Sequence, residues 1–349
     1  MKKKILTGIM AVFALNAFPL TPNNNLTESD MAAYLMVYHK DEDHGLHMAL
    51  SRDGYTFTAL NNGAAVIAGD TIAQQKGIRD PHIFRGPDGA FYLAMTDLHI
   101  FAQQAGYRDT EWERDGKRYG WGNNRGLVLM KSNDLINWSR SNVVLPEMSQ
   151  EFAEIGCAWA PETTYDYEKG KLMVYFTMRF ANERNRLYYA YVDDDFTHFT
   201  STPQILFEHP DGHTTAIDGD ITKVGDKYHL FYVTQDKKKN GIKHAVSKRI
   251  NGDYDYLPDW IDFEERPCEA PTVWKRIGED KWVLMIDCFG RKPNEFGFIE
   301  TSDFKTFTNL GYFNDGVMKT TNFKGPKHGA VIHLTKAEAD KLENHWRNE

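Results

Sequence analysis

The chain has 349 residues, 41 Lys+Arg against 49 Asp+Glu for a formal net charge of -8, and three cysteines, Cys157, Cys268 and Cys288. The acidic balance excludes the clustered basic excess of a nucleic-acid binder, and three cysteines without CxxC spacing exclude a disulfide framework and a zinc-finger site. With 21 Phe, 17 Tyr and 8 Trp, the composition suits strands better than helices.

Lys2, Lys3 and Lys4 precede an apolar run from Ile5 to Ala17. That run is too short to span a bilayer and has the form of a signal-peptide core, with Ala14 and Ala17 as an imperfect cleavage signal. The expectation is a signal peptide over 1–20 and an exported protein, secreted or periplasmic. No later stretch is apolar over 18 residues, so no membrane partner is expected once the leader is removed.

Beyond the leader the chain is repetitive, and repeats are read before local structure. AYLMVY (33–38) is strand-like. A first pattern, an apolar strand, a Ser or acidic turn and a strand carrying an aromatic, occurs as LHMALSRDGYTF (46–57), LVLMKSNDLINW (127–138), LYYAYVDDDFTHF (187–199), IKHAVSKRINGDY (242–254) and FGFIETSDFKTF (296–307). Aligned on Ser51, Ser132, Val192, Ser247 and Ser302, the copies are 81, 60, 55 and 55 residues apart. The long first interval holds a polar insert, 98–126, with Arg108, Trp112, Arg114, Trp121 and Arg125, expected to shape a pocket rim.

A second pattern interleaves with the first: RDPHIFRGPDGAFYLAMT (79–96), WAPETTYDYEKGKLMVYFT (159–177), IDGDITKVGDKYHLFYVT (217–234), EAPTVWKRIGEDKWVLMID (269–287) and HGAVIHLT (328–335). The first four read as hairpins with a Gly-containing turn. Two strands from each pattern make four-stranded units, and five such units make an all-β, five-bladed β-propeller in a single domain over 30–349. The strands near 33–51 are expected to close the ring by joining the blade that begins at His328. A β-sandwich of ordinary hairpins is the competing fold, but a sandwich has no reason to repeat a turn signature. Thr335 and Glu338 form a capping box for a short C-terminal helix through about Trp346.

In a propeller the innermost strands converge on the central channel. The first residues of the five inner strands are Asp80, Glu162, Asp218, Glu269 and His328. Carboxylates held close in a partly desolvated pocket cannot all ionise, which supplies one group for acid and another for base chemistry. Glycosidic hydrolysis uses such a pair, and Trp159 or Trp274 near the same ends could stack on a sugar face.

These motifs resemble glycoside hydrolase family 43, whose members are five-bladed propellers, over about Tyr34 to Thr335. KGIRDPHIFRGPDGAFYLAMTDL is similar to the family's first inner strand, AIDGDITKVGDKYHLFYV to its third-blade motif and CEAPTVWKRIGEDKWVLMID to its fourth. The resemblance implies Asp80 as general base, Asp218 as the residue that tunes and orients the acid, and Glu269 as general acid, with inversion at the anomeric centre and a water-sized gap between base and acid. It also implies Asp97, Trp159 and Glu162 as sugar contacts, with His328 near the channel axis. Asp220, two residues after Asp218, departs from the family pattern. Strand alternation puts both on one face, so Asp220 is expected to share or take over that role.

The implied substrate is an oligosaccharide or polysaccharide, foremost an exo-cleaved α-L-arabinofuranoside of plant glycans. A β-D-xylosidase, an exo-β-1,3-galactanase and a non-catalytic carbohydrate-binding propeller are the alternatives. A phosphorolytic or glycosyl-transferring propeller would need an anion-binding basic cluster, for which Arg79 and Arg291 are the candidates. His44, His47, His82 and His99 lie singly, so no metal site and no cofactor are expected. By resemblance, a structural ion or ordered water beneath His328 remains open.

Overall fold

The second strand of each unit is apolar on both sides, and the architecture explains why. In a computed structural model that describes residues 26–107, 114–235 and 239–347, five antiparallel sheets stand around an axis as the blades of a propeller. The expected leader at 1–20 lies outside the described residues, as do Arg108 and Trp112.

Blade 1 consists of Ile78–Arg85, Phe91–Asp97, Gly126–Ser132 and Ser139–Val144, ordered from the axis outward. Blades 2 and 3 begin with the inner strands Ile155–Asp166 and Ile217–Val224, and blade 4 with Glu269–Lys275. Blade 5 is composite. Its inner strand Lys327–Thr335 pairs antiparallel with Met31–His39, which is followed outward by His47–Ser51 and Thr56–Ala59. The ring closes as the sequence predicts.

Every residue of Phe91–Asp97 is buried, because its two faces meet different neighbours. Phe91, Leu93 and Met95 enter the core shared with blade 5, whereas Tyr92 and Ala94 enter the core shared with blade 2. The molecule thus has five inter-blade cores, one per gap. Complete burial of one such aromatic or aliphatic side chain is worth about 1.5–3 kcal/mol.

The repeated turns lie at the outer ends of the third strands. Asp53, Asp134 and Asp303 each accept backbone N–H bonds from the residues two and three positions on, the Asx geometry that makes acidic residues recur there. The C-terminal helix Lys336–Arg347 has its capping box: Glu338 accepts the Thr335 N–H at 2.8 Å, and Thr335 Oγ1 accepts the Glu338 N–H at 3.3 Å.

One irregularity recurs in all five inner strands and builds the site. The residue preceding Pro81, Pro161, Gly219, Pro271 and Gly329 has a left-handed backbone: Asp80 (φ 51°), Ala160 (45°), Asp218 (48°), Ala270 (55°) and His328 (33°). In blades 1 to 4 the ladder shifts register at this point, the mark of a β-bulge, which re-aims side chains next to active sites. Where a glycine follows, its size is also dictated by space. A Cβ on Gly329 would lie 2.3 Å from the Val37 carbonyl oxygen.

Candidate active site

The bulge sorts the inner-strand residues into tiers. Those just before the left-handed residue are Arg79, Trp159, Ile217, Glu269 and Lys327, and all five line one pocket of about 380 Å³ at the mouth of the channel. The left-handed residues Asp80, Asp218 and His328 line it too. Those two positions further on, including His82, Glu162 and Asp220, lie in a deeper tier outside the pocket lining.

Of the residues expected from the sequence, Asp80, Trp159, Asp218, Glu269 and His328 therefore meet in one place, whereas Glu162 and Asp97 do not. Glu162 is two residues past the bulge, 4 % exposed, and accepts the Tyr175 hydroxyl at 2.5 Å. Asp97 accepts the amides of Gln74 and Gln75 at 2.9 and 2.8 Å. It fixes the loop beneath the rim rather than facing the pocket. Asp220 does not share a face with Asp218, because the intervening bulge cancels the alternation. Trp274 is 4 % exposed in the core between blades 4 and 5.

A ring of inter-blade hydrogen bonds holds the bulges. The second-strand residue opposite the mouth tier accepts the bulge amide of the next blade. Thr96 Oγ1 takes Ala160 N–H at 2.8 Å, Thr177 Oγ1 takes Asp218 N–H at 3.0 Å, Asp287 Oδ2 takes His328 N–H at 3.1 Å and His39 Nδ1 takes Asp80 N–H at 3.2 Å. Blade 3 has Val233 opposite Ile217, which offers no acceptor, and there the Asp218 carboxylate faces the Ala270 amide. The carboxyl groups are thus anchored to the frame rather than to flexible loops.

Electrostatics differentiates them. Burial opposes ionisation of Asp80, but the His328 ring, 3.2 Å from its Oδ1, and Arg79 outweigh burial and hold the carboxyl well below the usual range. Thr96 donates its hydroxyl to the other oxygen at 2.7 Å. Reciprocally, burial disfavours charge on His328, yet Asp80 lifts the imidazole to about 9. Asp218 is pushed up to about 7 by burial, with His328 opposing and Glu269 and Asp80 reinforcing the rise. At neutral pH the pocket therefore joins an ionised carboxylate to one that readily holds a proton, the division that acid–base chemistry needs.

Lys327 and Asp287 were not singled out by the sequence reading. The register of the triplets RDP, WAP, IDG, EAP and KHG is the signal that finds Lys327, since it stands where Glu269 and Arg79 stand. Its Nζ lies 3.5 Å from Glu269 Oε1 and 3.6 Å from Asp287 Oδ2.

Part of the insert closes the rim. Arg179 donates to the Tyr119 and Trp121 carbonyls at 2.9 and 3.0 Å and lies 4.5 Å over the Trp159 ring. Arg114 donates to Ile155 O at 2.6 Å. Trp121, 70 % exposed, meets Trp159 edge-on at 6.1 Å, and both line the pocket. Arg79 bonds Asp41 at 2.6 Å and Arg291 lies 3.6 Å from Glu264, so the two basic candidates for an anion site are each committed to a carboxylate.

The His328 ring is turned to Asp80, its Nδ1 3.2 Å from the Asp80 Oδ1. Donor atoms do gather one tier deeper: His82, Glu162 and Asp220 each offer an atom within 4.8 Å of the others, so these histidine and carboxylate groups are the described residues that could hold a small cation. His82 does not lie singly, contrary to the sequence reading, nor does His44, which stacks on His99 at 3.9 Å.

A family model described as a probable glycosyl hydrolase domain, related to family 43, matches residues 29–340. A protein of Bifidobacterium longum named alpha-L-arabinofuranosidase is 28 % identical over 285 residues, 68 % of this chain and 25 % of that protein. The chain thus spans about a quarter of the length of this relative. Among solved structures, an exo-1,5-alpha-L-arabinanase from a bovine ruminal metagenomic library superposes with a TM-score of 0.54 at 15 % identity, covering 80 % of this chain and 93 % of that one. A family 43 protein from Bacillus licheniformis does so with a TM-score of 0.51 at 15 % identity over 85 % and 54 %. At that identity the superpositions speak for the fold.

Proposed function

Because the chain belongs to this glycosyl hydrolase family related to family 43, we propose that it hydrolyses terminal α-L-arabinofuranosyl bonds with inversion, using Asp80, Asp218 and Glu269. The observation that carries the reading is the meeting of these three carboxyl groups, from blades 1, 3 and 4, in one pocket with the protonated His328.

In this mechanism Asp80, kept ionised, orients water and takes its proton as the water attacks the anomeric carbon. Glu269, with its side chain 26 % exposed to the pocket, protonates the leaving oxygen. Asp218 hydrogen-bonds the backbone of the Glu269–Ala270 bulge and raises the cost of a second negative charge beside the acid. Trp159 and Trp121 supply apolar surface for a sugar face. The arabinose preference is supported by the name of the bifidobacterial relative, and end-trimming by the insert that narrows the pocket mouth.

The test is a panel of arabinofuranosyl, xylosyl and galactosyl oligosaccharides with the products sized and the first-formed anomer read by NMR. Release of single β-arabinose units is expected. A ladder of long products would overturn exo action, and a retained anomer would overturn the base assignment. Glu269→Ala is expected to abolish cleavage of an unactivated glycoside while sugar affinity persists. Unchanged turnover would remove Glu269 from the role of acid.

A further inference from the structure

Resting on the reading of Glu269 as proton donor, we infer that Asp287 and Lys327 are a charge-compensating pair that positions Glu269 and lets it keep its proton until the leaving group takes it. Neither residue has a role in the mechanism above. Lys327 is 6 % exposed and reaches both Glu269 and Asp287 through one ammonium group. Alone beside Glu269, an ammonium group favours the charged form of a carboxyl over the neutral one. Asp287, directly opposite Glu269 across the ladder, supplies the opposing charge.

The inter-blade ring shows that charge at this position is not needed for folding. Equivalent positions on the other second strands hold Thr96, Thr177, Val233 and His39, and a threonine hydroxyl suffices to accept the next bulge amide. Asp287 accepts that amide with one oxygen only. Its Oδ1 is buried without a hydrogen-bond partner in a side chain that is 0 % exposed. A buried carboxyl with a spare oxygen is a costly way to accept one amide bond, and the cost is intelligible if the charge is used.

Every charged neighbour is consistent with this division. Glu269 faces Lys327 and His328 from blade 5, Asp218 from blade 3, and Arg79 and Asp80 from blade 1. Asp287 faces Lys327, His328 and Glu269, with Glu295 and Cys288 on its outer side. Burial pushes Asp287 up to about 7, and Lys327 opposes the rise. During turnover the proton leaves Glu269 for the glycosidic oxygen as the carbon–oxygen bond breaks. Lys327 then faces the new Glu269 carboxylate, and Asp287 is free to take up a proton.

The experiment is the pH profile of kcat/KM on arabinotriose, or on xylotriose or galactobiose should the substrate panel select those. Asp287→Asn and Asp287→Thr keep the amide acceptor and remove the charge. Both are expected to move the alkaline limb to lower pH by about one unit, whereas Lys327→Met moves it up by a similar amount and Asp287→Asn/Lys327→Met restores the native limb. Lowered turnover or melting temperature with unmoved limbs means a structural role only and overturns the pair. Where the Asp287 variants do not fold, Lys327→Met and the double variant carry the decision, and an unmoved limb in either overturns it. Failure of the parent reading looks different: Glu269→Gln would then retain native turnover.

Discussion

The mouth and deeper tiers of the channel are built from the same five strands, two residues apart, yet they are chemically unlike. At the mouth, acids alternate with cations: Asp80 with His328 and Arg79, and Glu269 and Asp287 with Lys327. One tier down, Glu162 and Asp220 lie close together beside His82, with no lysine or arginine paired to either among the described residues. Burial, then Asp220, pushes Glu162 well above the usual carboxylate range, while burial also holds His82 neutral, down at about 3. The mouth therefore holds an ionised Asp80–His328 pair, whereas beneath it Glu162 keeps its proton and His82 is neutral at neutral pH. Paired charge is placed where substrate enters, whereas similar side chains without counterions fall back on their neutral forms.

The sharpest way to break this contrast is to neutralise two carboxyls of the mouth and one of the floor, each in its own variant. Asp80→Asn and Glu269→Gln are expected to lower kcat/KM for an unactivated glycoside by at least about 10³-fold, whereas Glu162→Gln leaves it within about threefold, since the native group is already protonated. Steady-state kinetics on the three variants checks this, and equal losses would erase the division.

Thr96→Val comes next. Its hydroxyl both donates to Asp80 and accepts from Ala160, so loss of both bonds is expected to cost about 2–3 kcal/mol in urea unfolding and to lower kcat as well. A stable variant with native kcat would show that the ring does not orient the base.

A smaller effect concerns Asp220, pushed up from 3.8 to about 7 by burial. Below about pH 4 the folded and unfolded forms both carry the proton. As pH rises through 4 to 7 only the folded form keeps it, so stability falls across that window and stays reduced above it. Asp220→Asn is expected to remove this fall, stabilising the protein at pH 8 and not at pH 4. Thermal melts at the two pH values test it, and an equal shift at both would contradict it.

The smallest expected effect is at the bulges themselves. Ala160→Gly and Ala270→Gly relieve a left-handed backbone, offset by the entropy of glycine, for a net gain of about 0.5–1 kcal/mol. Destabilisation in chemical unfolding would mean that the methyl groups are needed for packing.

The fold was legible in the sequence because each blade repeats the same turn chemistry and the same doubly buried second strand. The ring closure through 31–39 was legible for the same reason. The site was legible in part. Asp80, Asp218, Glu269 and His328 follow from the motifs, but Glu162 reads in sequence as the start of its strand although Ala160 is the left-handed equivalent of Asp80, and Asp220 was misplaced because strict strand alternation takes no account of a residue at positive φ. Ala160 and Ala270 conceal that bulge, since alanine carries no signal for a left-handed backbone. Asp97 was misjudged because an acid after a strand looks the same in sequence whether it faces a pocket or bonds two backbone amides. Lys327 and Asp287 belong to different blades, and only the pairing of strands brings them to one carboxyl.

Closure of the fifth blade has a consequence for how the pocket comes into being. Asp80 lies on an early blade, but its imidazolium partner is carried by Lys327–Thr335, the strand that locks onto the opening segment of the ring. A nascent chain lacking that strand holds neither the imidazolium beside Asp80 nor the ammonium beside Glu269. Its half-made cleft lacks the charges of the complete pocket, so the pocket's electrostatics arrive in a single step, when the wheel is locked.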